Sequence, residues 1–257
     1  MFLLLPTLYF FIIGSIIGSF TNVLIDRIPK GISIAFSRSY CPHCRKKLSP
    51  LELIPIFSYL MLRGKCGSCK KEIPARLLLV EVILAVLYSL LYVMVFMSVI
   101  GLFQFIYLLA ILPLFMAIIF TDLEYGIIPD QLLLYVIVII ATYFILFSLV
   151  SLPVNLLTGF VVFVFFALLF LATSGKGMGF GDVKLSFVLG LFLGPVDSIV
   201  AMYLAFLTGA VVSIALVAFR IRRFKGGTIP FGPFLVVSSI TAYFWGGLLI
   251  KLFLKIY

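Results

Sequence analysis

The chain has 257 residues, of which 64% are hydrophobic and only 11% are charged, and its mean hydropathy is +1.33. This composition excludes an ordinary soluble domain and predicts a protein that is embedded in a lipid bilayer. The formal net charge of +10 does not indicate a nucleic-acid partner, because the basic residues are concentrated in a few segments between apolar runs.

Eight apolar runs are candidates for transmembrane helices, since one crossing requires about 20 apolar residues. The sixth run is short and is interrupted by Gly194 and Pro195. The predicted fold is all-α, a polytopic membrane helix bundle with about eight transmembrane helices. The runs lie at 3–23, 77–97, 102–121, 131–150, 155–173, 183–195, 198–219 and 233–253.

The first run, MFLLLPTLYFFIIGSIIGSF, lacks the basic start and the small-residue cleavage site that are typical of a signal peptide. We therefore expect it to be retained as a membrane span. Within it, Gly14 and Gly18 form a small-xxx-small pair. Such a pair is typical of a face that packs closely against another helix.

The distribution of positive charge predicts the orientation in the membrane. Of the 19 Lys and Arg residues, 17 lie in the segments 26–76, 174–184 and 220–232. The positive-inside rule places these segments, together with 121–130, in the cytoplasm, and both termini outside. The basic excess is mainly a signal of topology, and part of it is expected to contact anionic lipid.

All four cysteines lie in the segment 26–76, in the motifs CPHC and CGSC. The spacing C-x2-C-x21-C-x2-C is close to that of zinc sites with two knuckles. Two disulfides are the alternative, which a reducing cytoplasm disfavours. Because four thiolates leave no open coordination position, the predicted zinc is structural. The ligands would be Cys41, Cys44, Cys66 and Cys69, and His43 is expected to face outward.

Two acids stand at the predicted cytoplasmic ends of membrane spans, where ionisable groups are costly and often functional. Asp122 ends the third run, in IIFTDLEYGIIPD, and Asp182 begins the sixth, after GMGFG. Two carboxylates at one membrane depth can act as an acid/base pair, in which one activates a water and the other donates a proton. Two acids that cap or pair separately are the alternative. The single histidine lies in the cysteine segment, so a Ser/His/Asp triad is excluded.

Two further acids have structural interpretations beside a role in the site. Glu81 lies one turn into the second run, where pairing with a polar neighbour such as Asn22 is the simpler interpretation. Asp130 follows a proline at the start of the fourth run, where it is expected to act as a helix N-cap. Asp26 is expected to form an ion pair at the interface, and Asp197 to cap a helix.

The glycines that precede Asp182 are predicted to permit unusual backbone torsions and the close approach of an extended substrate segment. They are Gly177, Gly179 and Gly181, and Lys184 follows the acid by two residues. Near the other end of the chain, the segment PFGP (Pro230–Pro233) predicts a rigid turn at the start of the last span.

Six stretches, taken together and in this order, resemble the type IV prepilin peptidases over nearly the whole chain. They are GSFTNVLIDRIP, the two CxxC motifs, LLVEV, DLEYGIIPD, GMGFGDVKL and IPFGPFL. The resemblance implies a membrane aspartic protease of the GxGD class that cuts prepilins and pseudopilins at the cytoplasmic face. The cut falls after a leader glycine and before an apolar N-terminal helix. Residue by residue, the resemblance implies that Asp122 and Asp182 are the catalytic pair.

The resemblance also implies that the newly exposed residue is N-methylated with S-adenosylmethionine, although no signature of a soluble methyltransferase is visible and no residues are predicted to bind this donor. The basic cysteine segment and the 220–232 segment are candidate surfaces for it. The family's knuckles correspond to the four cysteines, and since some members lack them, zinc is not expected to be needed for proteolysis itself. The supporting residues are predicted to be Gly179, Gly181, Glu81, Lys184 and Asp130.

The predicted protein therefore has a first transmembrane helix at 1–25, a cytoplasmic zinc-knuckle loop at 26–76 and a seven-helix membrane catalytic core at 77–257. Its expected partners are a prepilin or pseudopilin and the lipid bilayer, and its expected location is the bacterial inner membrane. A proton-coupled transporter with paired interfacial acids is one alternative. A non-catalytic assembly scaffold that depends on zinc is another.

Overall fold

A computed structural model describes residues 3–34, 39–175, 177–218 and 230–254. Within these ranges the regular structure is helical, apart from two isolated antiparallel bridges in the cysteine segment, so the predicted all-α fold is confirmed. Short 3-10 turns occur at Ile28–Lys30, Leu51–Leu53 and Leu149–Ser151. The α-helices are α1 (Leu4–Arg27), α2 (Phe57–Met61), α3 (Ala75–Phe96), α4 (Leu102–Tyr125), α5 (Asp130–Phe147), α6 (Leu152–Ala172), α7 (Phe180–Leu193), α8 (Pro195–Ala218) and α9 (Gly232–Leu254).

In the described part of the chain, 7 helices are long and apolar enough to cross a membrane. They contain α1, α3, α4, α5, α6, α8 and α9, so the protein is a multi-pass membrane protein. The sixth predicted span, α7, has only 14 residues, a rise of about 21 Å against an apolar bilayer core of about 30 Å. Of the eight predicted runs, seven therefore form helices of membrane-spanning length, and the sixth, whose apolar run is short, forms a helix shorter than the apolar core. Because α7 is covered by α5, α6, α8 and α9, its length is not set by contact with lipid.

The chain divides into two compact units, and the boundary along the sequence falls within α4. Unit 1 is Met1–Ala117 and unit 2 is Ile118–Tyr257. The finer division into a first helix, a zinc-knuckle loop and a catalytic core stays a prediction.

Unit 1 is built on close contact between α1 and α3, as the glycine pair in the first run predicts. A Cβ atom on Gly14 would lie 2.6 Å from the carbonyl oxygen of Leu84, and one on Gly18 would lie 2.6 Å from the Cα atom of Glu81. The two backbones can approach this closely only because both positions lack a side chain. The predicted ion pair of Asp26 is also confirmed, since Arg76 Nη2 lies 2.7 Å from its Oδ1.

In unit 2, α7 is the helix around which the others pack. A Cβ atom on Gly190 would lie 2.8 Å from the Cα atom of Gly159 in α6, so these two backbones touch. The Asn155 side chain in α6 donates a hydrogen bond to the carbonyl oxygen of Leu191, at 3.0 Å. These contacts fix the position of α7, and with it the acid in its first turn.

Candidate active site and metal centre

Asp122 lies in the last turn of α4 and is buried, with 6% of its surface exposed. The helix ends at Tyr125 because the next residue, Gly126, adopts a positive φ of 66°, a conformation that glycine tolerates and that commonly terminates helices. The Gly126 amide donates to the carbonyl oxygen of Asp122 at 2.9 Å. The carboxylate itself accepts a hydrogen bond from the backbone amide of Gly232, with a distance of 3.0 Å to Oδ2.

Asp182 lies in the first turn of α7 and is equally buried, at 6% exposure. Its Oδ2 accepts a hydrogen bond of 3.1 Å from the amide of Gly179, the N-cap residue of α7. This is the half of a capping box in which an acid three residues into a helix reaches back to the N-cap amide. The other oxygen, Oδ1, is buried and has no hydrogen-bond partner among the described residues. Asp182 therefore has one oxygen that is held by a hydrogen bond and one that has no partner among the described residues.

The structure brings the two acids together, although they are 60 residues apart in the sequence. They are close enough for the charge of Asp122 to act on Asp182. The Ile128 side chain lies beside Gly181 and Gly232, the glycines that adjoin the two acids. A Cβ atom on Gly181 would be 3.2 Å from Ile128 Cβ, and a Cβ atom on Gly232 would be 3.2 Å from Ile128 Cδ1. A buried pair of carboxylates beside an apolar side chain is an arrangement suited to acid/base chemistry.

The glycines before Asp182 matter for the room that their missing side chains leave and not for unusual backbone torsions. None of Gly177, Gly179 and Gly181 has a positive φ, and Gly179 is extended with a φ of −77° and a ψ of 151°. The prediction of unusual torsions is therefore wrong at these positions. At Gly181 the Ile128 side chain lies against the position of the missing side chain, and the close approach of a substrate segment stays a prediction.

The contact between Gly232 and Asp122 was not predicted. A Cβ atom at this position would lie 2.6 Å from Asp122 Oδ2, too close for any side chain to be accommodated without displacement. The only signal in the sequence was a glycine between two prolines in PFGP, which predicted a rigid turn. The turn does begin a helix, since α9 starts at Gly232. Nothing in the sequence distinguished Ile128 from other apolar residues.

Asp130 does not cap α5 through its side chain. Pro129 is the N-cap residue, without a side-chain hydrogen bond, and Asp130 is the first residue of the helix. Its carboxylate instead accepts two hydrogen bonds from Lys184 Nζ, at 2.7 and 2.9 Å. The capping prediction is wrong because this lysine of α7 competes successfully for the carboxylate. The side chain of Asp130 is 72% exposed, so the pair orients the starts of α5 and α7 without contributing much stability.

Glu81 lies in unit 1, whereas Asp122 and Asp182, the predicted catalytic dyad, lie in unit 2. It is buried at 8% exposure and accepts a hydrogen bond of 2.7 Å from the amide of Ile56. The Ser19 side chain hydrogen-bonds to the same carboxylate. The expected partner Asn22 donates instead to the carbonyl oxygen of Leu77, at 3.0 Å. Glu81 thus anchors the cysteine segment to α3, and its predicted role in support of the dyad stays a prediction.

The four cysteines form one cluster, in which the sulfur atoms all lie within 4.8 Å of one another. The Sγ atoms of Cys41 and Cys69 are 3.8 Å apart, close to the separation of about 3.8 Å that tetrahedral zinc with Zn–S bonds of about 2.3 Å would give. All four are free thiols, so the alternative of two disulfides is not realised. His43 is exposed and outside the cluster, as expected. The donor set fits a structural zinc ion.

Each CxxC motif lies in a tight turn of the same design. The amide of Cys41 donates to the carbonyl oxygen of Lys46 at 3.0 Å, and the amide of Cys66 donates to the carbonyl oxygen of Lys71 at 2.8 Å. Hydrogen bonds from the backbone amides of Cys69 and Ser68 lower the pKa of the Cys66 thiol to about 6. Since zinc binds the thiolate form, the backbone of this turn prepares the sulfur for a metal.

Two family models match separate parts of the chain. The Bacterial Peptidase A24 N-terminal domain matches residues 12–95, and the Type IV leader peptidase family matches residues 108–214. The second match contains Asp122 and Asp182, and the first contains the four cysteines. No solved structure matches this chain.

Curated relatives match the chain over nearly its full length, and each of the following is named Prepilin leader peptidase/N-methyltransferase. The protein from Bacillus subtilis is 34% identical over 245 residues, which cover 95% of this chain and 96% of the relative. The protein from Aeromonas hydrophila is 33% identical over 273 residues, covering 94% and 92%. The protein from Pseudomonas aeruginosa is 32% identical over 276 residues, covering 95% and 92%. From these matches and the geometry of the site, the chain belongs to the type IV leader peptidase family.

Proposed function

We propose that this protein is a membrane aspartic endopeptidase that removes the leader peptide from type IV prepilins or pseudopilins and then N-methylates the new N-terminal residue. The observation that carries the peptidase activity is the buried pair Asp122 and Asp182, in which one carboxylate oxygen has no hydrogen-bond partner among the described residues. The names of the full-length relatives support both activities. They do not favour a transporter or a non-catalytic scaffold.

The two acids would act in opposite protonation states, since neighbouring buried carboxylates share one proton more readily than they both ionise. The ionised acid accepts a proton from water, whose oxygen attacks the scissile carbonyl carbon, while the protonated acid donates to the carbonyl oxygen. In the collapse of the tetrahedral intermediate the C–N bond breaks. The first acid then gives its proton to the leaving nitrogen, and the second recovers a proton from a hydroxyl of the intermediate.

The amides of Gly232 and Gly179 orient this pair. Each donates a hydrogen bond to one Oδ2 atom, at 3.0 Å for Asp122 and 3.1 Å for Asp182. A backbone donor cannot rotate away as a side chain can, so each carboxylate is held with its second oxygen directed elsewhere. Such preorganisation lowers the cost of reaching the transition state, because the acids need not reorient during the reaction.

We assign the dyad to the cytoplasmic side of the bacterial inner membrane. Asp122 ends α4, Asp182 begins α7, and Gly232 begins α9, so these three ends share one side. Alternation of the chain then requires α7 to pass between the two sides with its longer neighbours. The segments on the dyad side are those that carry 17 of the 19 basic residues, which marks the cytoplasm. With α7 included, both termini are external.

The four cysteines would hold one zinc ion that closes the segment between α1 and α3. Four thiolates around a metal replace the hydrophobic core that a segment of this length cannot supply on its own. Proteolysis is assigned to the dyad alone, so the metal has a structural role. Bound S-adenosylmethionine would supply a methyl group on a positively charged sulfur, which a free amine can attack.

Purified protein in detergent, mixed with a prepilin and labelled S-adenosylmethionine, tests the proposal. The expected product is a pilin that is shortened at one site, begins with the first residue of its apolar helix and carries the label, as read by N-terminal sequencing and mass spectrometry. Asp122→Asn and Asp182→Asn are each expected to abolish the cut, because an amide can neither accept a proton from water nor donate one as an acid.

The matched control is Asp197→Asn, the same chemical change in the first turn of α8. This variant is expected to cut like the wild type. No cut by the wild-type protein, or an undiminished cut by both dyad variants, would exclude the proposed peptidase mechanism. A cut without transfer of label would leave the peptidase and remove the methyltransferase.

A further inference from the structure

The stretch between the two cysteine motifs is apolar and yet is not covered by the rest of the chain. Residues 48–62 read LSPLELIPIFSYLML, in which Glu52 is the only charged residue. Six large apolar side chains in it are between 39% and 74% exposed, namely Leu51, Leu53, Ile54, Phe57, Leu60 and Met61. Exposed apolar side chains in such number mark a contact surface. We propose that residues 51–61 insert into the adjacent leaflet of the bilayer as an interfacial segment.

The depth of this segment is set by its contact with α3. The amide of Ile56 donates to Glu81 Oε2 at 2.7 Å, and Glu81 follows Ala75, the first residue of α3, by six positions. Because helical side chains lean back toward the start of the helix, the carboxylate lies about 5–9 Å below that start. The 22 residues of α3 rise by about 33 Å, which only just exceeds an apolar bilayer core of about 30 Å. The Ile56 backbone therefore lies inside the boundary of the apolar core.

The first helix gives the same depth. The Ser19 side chain hydrogen-bonds to the Glu81 carboxylate, and Ser19 precedes Arg27, the last residue of α1, by eight positions. This separation corresponds to about 12 Å along the helix. Since α1 and α3 pack antiparallel, both helices place Ile56 below the ends that adjoin the cysteine segment.

The backbone of the interfacial segment has the internal hydrogen bonds that a bilayer requires, because hydrocarbon offers no partners to an amide. The Ile56 amide has the Glu81 carboxylate. Most of the neighbouring amides donate to carbonyl oxygens within residues 50–58. They are the amides of Leu53, Ile54, Phe57, Ser58, Leu60 and Leu62.

The charges beside the segment fit an anionic lipid surface. Glu52 is matched locally, since Lys46 Nζ lies 3.1 Å from its Oε1 and the Ser49 amide donates to its Oε2 at 2.9 Å. Apolar segments with basic flanks lie about 5–10 Å into the boundary between headgroups and acyl chains, and their Lys and Arg residues attract anionic lipids. Exposed basic residues stand on both sides of the segment, namely Arg45, Lys46, Lys47, Arg63 and Lys65.

The occupant of this surface is lipid and not a protein partner, because the contact of Ile56 with Glu81 holds the segment at the depth of the bilayer. In the proposed orientation, the leaflet is the cytoplasmic one. Insertion would attach the cysteine segment to the membrane at a third place, besides α1 and α3. The insertion does not depend on the proposed peptidase or methyltransferase activity.

Tryptophan fluorescence of the full chain, in vesicles of phosphatidylglycerol and phosphatidylcholine, tests the insertion. The single tryptophan of the chain is first removed by Trp245→Phe, and one reporter is then introduced by Phe57→Trp or by Leu60→Trp. Phosphatidylcholine that is brominated in the upper part of its acyl chains should lower the fluorescence of either reporter at least twofold. Acrylamide dissolved in the water should have little effect on them.

Lys47→Trp in the same background is the matched control, because Lys47 is exposed and lies among the basic residues that are expected to stay in water. Its fluorescence should respond to acrylamide and not to the brominated chains. Size-exclusion profiles establish that the variants are folded, and Leu60→Trp carries the test if Phe57→Trp does not fold. Reporters at 57 and 60 that acrylamide quenches as strongly as the control would overturn the insertion. Reporters that neither agent reaches would assign the surface to a protein partner and would overturn it as well.

Discussion

At the scale of single residues, the dyad depends on a missing side chain as much as on its two acids. The backbone of Gly232 touches the carboxylate of Asp122 directly, with a hydrogen bond of 3.0 Å. A Cβ atom there would lie 2.6 Å from the same oxygen. Glycine at this position therefore sets the orientation of the carboxylate through both the bond and the space.

Gly232→Ala is expected to lower the cleavage rate by about 100-fold, because displacement of a catalytic group by about 1 Å has an effect of this size. Either the carboxylate or the start of α9 must move to accommodate the methyl group. The measurement is the initial rate of prepilin cleavage by purified variants at equal concentration.

Gly247→Ala provides the control in the same helix, since an added Cβ there meets nothing within 4 Å among the described residues. Its cleavage rate should equal that of the wild type. Equal rates for Gly232→Ala and Gly247→Ala would mean that the contact with Asp122 has no role in catalysis.

The two acids could be predicted from the sequence, whereas their surroundings could not. Asp122 and Asp182 stand at the edges of apolar runs, where a charge is costly and therefore informative. The contact of Asp122 with Gly232 joins residues 110 positions apart. No local pattern encodes such a contact, so neither Gly232 nor Ile128 could be assigned to the site in advance.

At the scale of elements, the helices of the bundle followed from hydropathy, but α7 shows what hydropathy leaves out. An apolar run reports that a segment avoids water and does not distinguish contact with lipid from contact with protein. Nine residues of this 14-residue helix are buried by its neighbours. The same limit applies to Asp130. The rule for helix caps considers only the helix that contains the residue, so it could not predict the contact with Lys184 of α7.

The cysteine segment is attached to the membrane helices through a strained turn. Ile56 has a φ of 62°, and the amide of Phe57 lies 2.6 Å from the carbonyl oxygen of Pro55, a tight γ-turn centred on a β-branched residue. This conformation is unfavourable on its own. The carboxylate of Glu81 stabilises it by accepting the Ile56 amide.

Glu81→Leu is expected to release this segment, because the loss of the acceptor leaves a buried amide unpaired at a cost of about 1–3 kcal/mol. Limited proteolysis with trypsin should then cut the basic segment 39–74 several times faster than in the wild type. Glu81→Gln keeps an oxygen acceptor of the same length and should restore most of the protection.

Glu72→Leu, at an exposed position in the same segment, is the control and should leave the proteolysis rate unchanged. If Glu81→Leu and Glu72→Leu are cut at the same rate as the wild type, Glu81 is not the anchor of this segment.

At the scale of the whole molecule, the two matched family models cover separate parts of the chain. The cysteine cluster lies in unit 1, and the carboxylate pair lies in unit 2. The four-cysteine cluster could be predicted because the spacing within each CxxC motif is local. The contacts that hold the carboxylate pair could not, because they join residues that are distant in sequence.

Removal of the metal should leave proteolysis largely intact. A strong zinc chelator is expected to release one zinc ion per chain, measured by elemental analysis. Prepilin cleavage should be largely retained, because the cysteine cluster lies in unit 1 and both dyad acids lie in unit 2. Loss of cleavage in proportion to the zinc released would contradict the structural role assigned to the metal.

In the proposed mechanism, Asp122 and Asp182 act as one catalytic unit. Single-turnover cleavage rates of Asp122→Asn, Asp182→Asn and the double variant test it most directly, because groups that act together lose their effect together. Each single variant is expected to be as inactive as the double variant, at the background rate. Two partial losses that multiply in the double variant, or cleavage that survives either substitution, would contradict it.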